Sequence, residues 1–489
     1  QAAHAAERAH YWPHVRGNVG SYGVSDVKVP ANFNGGKLAW KWTHPNGIYG
    51  TTVVGGPVID YEKNLYFVEV QGLHKFTPDG KELFHVAPPK PWCFFPDGPS
   101  LSGDDIFLTT TCGELCSVNI HTGQYNWPGA CRQYFPTTGG DSKYVTSHDG
   151  VVFIGTDDAG GGGSKHVVGV NATTGDMLWN FKPDVPTWNN MGQYPGDGTV
   201  VFQDWDSRAY RLDNRNGTLL WKSGGRSSKR SPHQPYAETW TDGGLLMGAD
   251  NVAYAVSSKV GQDKCGEAWA GGGIHAHRVS DGETLWEADL KHPVLTWPVS
   301  AKLDDDESFT VFAFPSASAK RNCIVLEVVQ DYFLGIVRWL LKSVLVPAVV
   351  TGCAVFGIAA LVGGVGMKQA LWRLLRGALL GAVAGGGIVA LGTAVQYVGI
   401  YHWYYTGASP SEIVALDATT GRKKWEHTFT VWSRPTAKGD QEGYAQKSAT
   451  QPWRDKCCPV AYSSPSVDGN GVVYIGHMSG TIYGVKDWD

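Results

Sequence analysis

The sequence predicts an all-β fold: a seven-bladed β-propeller of four-stranded antiparallel blades, closed by its N-terminal strand and interrupted in the sixth blade by a two-helix transmembrane insertion. Three observations carry this reading. A Gly followed four residues later by an aromatic recurs seven times, at Gly36/Trp40, Gly80/Phe84, Gly123/Trp127, Gly175/Trp179, Gly217/Trp221, Gly282/Trp286 and Gly421/Trp425. Two long uncharged runs separate the last two of these pairs. The segment TIYGVKDWD (481–489) reaches the point where another turn and Trp strand are due, and NGGKLAWKW (34–42) reads as the strand that supplies them.

The repeat is fullest in VVGVNATTGDMLW (167–179) and EIVALDATTGRKKW (412–425): an alternating strand, a tight turn ending in Gly, then a strand that buries a Trp. Gly supplies the positive φ that the turn needs, and the Asn, Asp or Thr ahead of it hydrogen-bonds its own backbone. The indole four residues on caps the seam between neighbouring blades. Each copy is therefore expected to be the outer hairpin of one blade. A blade cannot bury both faces alone, so the copies imply a ring, and closing it removes the open sheet edge that invites aggregation.

Composition agrees. Gly is abundant at 63 residues, Trp reaches 20, and only 18% of residues are charged, as many short strands joined by tight turns require. A net charge of −4 and the lack of a basic stripe interleaved with aromatics argue against a nucleic-acid partner. Eight of the nine cysteines lie in the propeller: Cys93, Cys112, Cys116, Cys131, Cys265, Cys323, Cys457 and Cys458. Their even number points to disulfides and an oxidising compartment, the other reading being free buried thiols. Cys353 sits in an apolar run, and no spacing forms a zinc pattern. The glycosylation acceptors Asn171 and Asn216 fall on repeat turns, where turn chemistry alone would put them.

The insertion follows ESFTVFAFPS (307–316) and NCIVLEVV (322–329), read as the first strands of the sixth blade, and ends before the hairpin at 412. Val344 to Met367 and Gly377 to Tyr401 carry no charge, and each exceeds the roughly 20 residues that cross a bilayer core. Lys368, Arg373 and Arg376 mark the turn between them. Aromatics fall at headgroup depth: Tyr332, Phe333 and Trp339 before the first helix, Trp372 in the turn, and Tyr397, Tyr401 and Trp403 after the second. Gly377, Gly381 and Gly385, with Ala348 and Gly352, allow close helix packing, within the hairpin or against another protein. Both ends return to one side of the bilayer. With the cysteines, this puts the propeller on the extracytosolic, lumenal or intermembrane face.

ALDATTGRKKW (415–425), YWPHVRGN (11–18) and LAWKW (38–42) together resemble the pyrroloquinoline-quinone (PQQ) propellers, over nearly the whole chain outside the hairpin. That family contains calcium-dependent quinoprotein dehydrogenases and also cofactor-free scaffolds. The resemblance implies that an enzyme would have eight blades, a vicinal disulfide on the quinone and an acidic set for calcium and proton abstraction. Cys457-Cys458 is the match to the vicinal pair; the other reading pairs each of them elsewhere, for instance with Cys93 or Cys265. Asp455 would then be the base, with Arg454 an electrophile. Against this stand the count of seven blades, the late position of the pair, and the lack of a run supplying the six or more oxygens that calcium takes.

Other motifs read as structural. His275 and His277 alternate on a strand and share a face as two metal ligands would, but a satisfied surface pair is the preferred reading. Asp304, Asp305, Asp306 and Glu307 read as a solvated hairpin tip. GTDDAGGGGSK (155–165) joins two strands and lacks a phosphate-binding ending.

The expected organisation is an N-terminal extension (1–33), propeller (34–329), transmembrane hairpin (330–407) and the remaining propeller (408–489). The expected function is a non-catalytic accessory or scaffold subunit of a membrane protein complex, with an energy-transducing organellar membrane as one setting. Its partners would be other subunits, met through propeller loops and hairpin, and the lipid bilayer; no metal or cofactor is expected. The alternatives are a membrane-bound quinoprotein dehydrogenase using PQQ and calcium, with Asp455, Cys457 and Cys458 at its site, and a receptor or adhesion propeller.

Overall fold

The structure is a computed structural model that describes chiefly residues 57–136, 144–224, 244–302, 308–316 and 410–429, with short stretches at 9–17 and the backbone of strands at 466–485. Among the described residues every named element is a strand. These strands form seven antiparallel sheets, four of them four-stranded, each joining strands consecutive in the chain. The first runs Val58–Ile59, Leu65–Glu69, Gly72–Phe76, Glu82–Val86 from inner to outer edge. Such a meander, repeated with apolar faces stacked sheet against sheet, is a propeller.

Burial follows from that stacking. Middle strands are covered on both faces, as in Thr199–Gln203, where all five residues are buried. Outer strands alternate: Leu219–Leu220 of Leu219–Ser223 are exposed while Trp221 is buried. One apolar cluster joins Phe153 and Trp179 of the third sheet to Val200, Phe202 and Tyr210 of the fourth, and another joins Phe312 and Ile413 of the sixth to Val473 of the seventh.

The Gly-aromatic repeats form the outer hairpins, as expected. Gly175 and Gly217 have φ of 72° and 71°. Asn171 Oδ1 accepts the N–H groups of Thr173 and Thr174, and Asp417 Oδ1 those of Thr419 and Thr420. The indoles cap the next sheet through a recurring contact. Trp127, Trp179, Trp221 and Trp286 donate Nε1–H to the carbonyls of Ala172, Asn214, Val279 and Ala418 at 3.1, 2.8, 2.7 and 2.7 Å. Each ring also lies on the turn glycine of the following repeat. A Cβ at Gly217 would stand 2.7 Å from Trp179 Cγ, and one at Gly421 would stand 2.4 Å from Trp286 Cε3. Phe84 covers Gly123 in the same way without the hydrogen bond.

The second sheet departs from the pattern. Pro128 follows Trp127, and the chain turns at once, with Ala130 N–H donating to Trp127 O. The outer strand resumes at Cys131–Gln133, where Cys131 faces Cys116 in register and is bonded to it. A second disulfide joins Cys93 to Cys112. Cys93 is thus unavailable to Cys457 or Cys458, which corrects one of the expected pairings.

The sixth sheet is also corrected. Its strands are Val299–Lys302, Phe309–Ala313, Glu412–Asp417 and Lys423–Thr428, so four strands are complete without 322–329. Phe309–Ala313 pairs directly with Glu412–Asp417, and residues 314–411 intervene between two adjacent strands. The predicted hairpin (330–407) lies outside the described residues apart from exposed Trp372. Among the described residues no helix is long and apolar enough to cross a membrane. The predicted closing strand (34–42), Asp304 to Glu307, Asp455, Cys457 and Cys458 also lie outside them.

Candidate functional site

The inner strands Val58–Ile59, Ser100–Ser102, Val145–His148 and Val299–Lys302 face the propeller axis. In the fourth sheet the inner strand is reduced to one bridge, Gln193 to Val201. A short N-terminal segment, Trp12 to Gly17, runs among them. Trp12 and Ile59 exchange both N–H···O bonds, at 3.0 and 2.9 Å. The carbonyl of Pro13 accepts Leu101 N–H of the second sheet at 2.8 Å. His14 and Gly17 exchange backbone bonds in a tight turn, with Gly17 at φ 100°. His14 Nε2 lies 3.2 Å from Ser147 O of the third sheet. Arg16 places its guanidinium carbon 3.4 Å from the ring centroid of Trp297, just before the sixth sheet's inner strand.

Trp12, Pro13, His14 and Arg16 reach the inner edges of the first, second, third and sixth sheets in turn, and only the axis of a propeller is near all four. The segment therefore fills axial space. Pro13 has no N–H to leave unpaired, and Arg16 stands within the turn that His14 and Gly17 close. His14 is fully buried and Arg16 nearly so. Burial lowers the Arg16 guanidinium from its ordinary value, with Tyr144 opposing the shift, and Tyr144 meets Trp297 edge-on at 6.0 Å. An arginine held this way keeps its charge and is stabilised on the indole face. Polar contacts complete the lining: Ser100 Oγ to Ser147 Oγ at 2.6 Å, and Thr146 Oγ1 to Tyr194 OH at 3.1 Å.

Two further features share the end of the sheets where second strands turn into third strands. In the fifth sheet these strands, Val252–Asp263 and Gly266–Arg278, stay paired out to Asp263 and Gly266, whereas the neighbouring Thr284–Leu290 pairs only as far as Gly272. The tip is an arm of five residue pairs, roughly 17 Å long at strand rise. In the sixth sheet the same connection is the 314–411 insertion. Its root is fastened by a Ser316–Ser411 bridge, by Glu412 N–H to Pro315 O at 2.9 Å and by Ser316 N–H to Pro293 O at 2.8 Å. His292 and Lys291 approach Glu412 there at 3.4 and 3.8 Å.

His275 and His277 are buried, not the surface pair expected, because their strand is covered on both faces. His277 Nδ1 meets Thr284 Oγ1 at 3.1 Å, and His275 Nδ1 meets Glu287 at 3.3 Å. Burial, then His275, pushes His277 down to about 4. The glycine-rich 155–165 segment joins two strands as expected, with Lys165 paired to Asp157 at 3.1 Å. Among the described residues, the side chains suited to hold a metal are Glu69, His74 and His85.

A family model for the PQQ-like repeat, described as outer membrane protein assembly factor BamB, matches residues 25–180 and 135–313, more than half of the 489. The chain belongs to this PQQ-like repeat family. Comparison with curated proteins gives no match. Among solved structures, BamB from Moraxella catarrhalis is similar at 12% identity and a TM-score of 0.43, covering 88% of this chain and 90% of that one. A europium-containing methanol dehydrogenase is similar at 12% identity and 0.33, covering 64% and 90%. The quinohemoprotein alcohol dehydrogenase of Comamonas testosteroni is similar at 13% identity and 0.34, covering 64% and 78%. At such TM-scores none of the three bears on the site of this PQQ-like propeller.

The axial segment escaped the sequence reading, which took YWPHVRGN only as part of the family resemblance. Its signal was the cluster of Trp12, His14 and Arg16 ahead of the first repeat.

Proposed function

We propose that this chain is a non-catalytic propeller serving as an accessory or scaffold subunit of a membrane protein complex. The observation that carries the reading is the axial segment: Trp12 to Gly17 takes space on the axis, where a propeller enzyme would seat a planar cofactor. The fifth-sheet arm and the fastened root of the sixth-sheet insertion stand on one face, which suits a ring that holds partners close to a bilayer. The family model's description as an assembly factor agrees with a binding role.

In this proposal the ring has seven blades and 34–42 completes the last. The 330–407 hairpin spans the bilayer twice, and the propeller lies on an extracytosolic, lumenal or intermembrane side, where the Cys93–Cys112 and Cys116–Cys131 disulfides persist.

The test is native mass spectrometry of the full chain, gently solubilised from its own membrane. The expected result is a defined set of membrane subunits at fixed stoichiometry with no quinone. Recovery of PQQ with calcium on a protein lacking stoichiometric partners would overturn the proposal in favour of a dehydrogenase.

A further inference from the structure

At the edge of the first sheet, three strands bring together groups that lie apart in sequence. Glu69 ends Leu65–Glu69, His74 is in Gly72–Phe76, and His85 of Glu82–Val86 is the direct cross-strand partner of His74. Their ligand atoms all lie within 4.8 Å of one another. His74 Nε2 stands 3.3 Å from Glu69 Oε1, and His74 Nδ1 stands 2.8 Å from Glu82 Oε1. The two imidazoles stack with centroids 4.4 Å apart. Phe67 covers His74 on the inner side, its ring centroid 5.0 Å away.

Glu69 and His74 are buried and His85 is exposed, so the cluster has a fixed floor and an open side. The floor is shaped for the second imidazole. A Cβ at Gly72 would stand 2.4 Å from His85 Nε2 and 2.3 Å from Val86 O, so the ring of His85 lies where only glycine leaves room.

The second imidazole, His85, meets the backbone of Gln71 and is laid over the Glu69–His74 pair on a glycine. We propose that Glu69, His74 and His85 bind one divalent transition-metal ion of the Zn²⁺ class, with Glu82 as the outer carboxylate. Two imidazole nitrogens and one carboxylate are an established donor set for such ions, leaving a fourth position for water. Glu82 accepts Nδ1–H of His74, and Nε2 of the same ring, 3.3 Å from Glu69 Oε1, would exchange its proton for the ion. Donors at about 2.1 Å from a tetrahedral ion lie about 3.4 Å apart, and rotation of exposed His85 supplies the closure. The bound ion clips the second strand of the sheet to its outer strand. The site stands apart from the axis and does not depend on the scaffold reading.

The test is calorimetric titration of Zn²⁺ into chelator-treated full-length protein, with Co²⁺ spectra alongside. The expected result is one equivalent bound at micromolar affinity or better, weakened at least tenfold by His85→Ala and about tenfold by Glu82→Gln. His121→Ala, at an exposed histidine elsewhere, leaves binding unchanged. Co²⁺ on the wild type gives the visible bands of a four-coordinate imidazole–carboxylate site, a readout that needs no variant to fold. Equal Zn²⁺ binding by wild type and His85→Ala, or Co²⁺ spectra of the hydrated ion alone, would overturn the proposal.

Discussion

Trp286 of the fifth sheet donates its indole N–H to the carbonyl of Ala418 in the sixth, at 2.7 Å, although the 314–411 insertion lies between them in the chain. The same ring lies on Gly421, whose φ is 69°. Trp286→Phe keeps most of the packing and loses the hydrogen bond, an expected loss of about 1 kcal/mol. Trp286→Ala is expected to lose about 3–5 kcal/mol. Gly421→Ala sets a Cβ against the indole and is expected to destabilise more than Trp286→Phe. Urea midpoints order the three variants.

Arg16 on Trp297 closes the axis by a stacked cation. Arg16→Ala is expected to lose about 1–2 kcal/mol, and Arg16→Lys less, because an ammonium keeps the charge without the flat face. Thermolysin cleavage within 9–17 should quicken in the order wild type, Lys, Ala. Equal rates would show that this pair does not hold the segment.

The Cys116–Cys131 disulfide reattaches the outer strand of the second sheet after Pro128 breaks it. Replacing both cysteines by Ala is expected to lose about 3 kcal/mol by the loop-entropy estimate for a separation of 15 residues. Peptide mapping without reductant should find Cys93 joined to Cys112 and Cys116 joined to Cys131. Recovery of free thiols at these four positions would refute the pairing and remove its support for an oxidising compartment.

His277 gives the fold an acid sensitivity. Its folded value of about 4 lies below the ordinary 6.5, so the unfolded chain takes the proton more readily. The contribution is therefore complete above about pH 6.5 and is lost as pH falls toward 4, with a full loss on the order of 3 kcal/mol. Calorimetric Tm measured from pH 7 to 4 should fall less steeply in His277→Gln than in wild type.

The features legible in sequence are those whose physics is local. Asn171 through Trp179 contain their own turn donors, their glycine and their buried ring, so the hairpin and its capping role could be read without a neighbour. The rest depends on residues that only the ring brings together. Glu69, His74 and His85 meet through strand register, and the pairing of Cys93 with Cys112 follows from a loop path that spacing does not reveal. His275 and His277 alternate as a half-exposed strand would, but their strand is covered on both sides. The insertion's strand boundary was misplaced for a related reason: 322–329 has the apolar run of a strand, yet Phe309–Ala313 already occupies the place beside Glu412–Asp417.

The axial segment also sets an order of events. Trp12 to Gly17 precede every sheet in the chain, yet Arg16 cannot meet Trp297 until the sixth sheet has been synthesised. During translation the segment must wait, with its backbone donors on water, while the sheets that will enclose it are added one after another. Its docking is a late, long-range step, the kind that limits folding rate and leaves half-built species in need of protection. Pulse proteolysis during refolding should find 9–17 protected after the repeat hairpins; protection arriving with the first sheet would mean that the segment seeds the ring instead of sealing it.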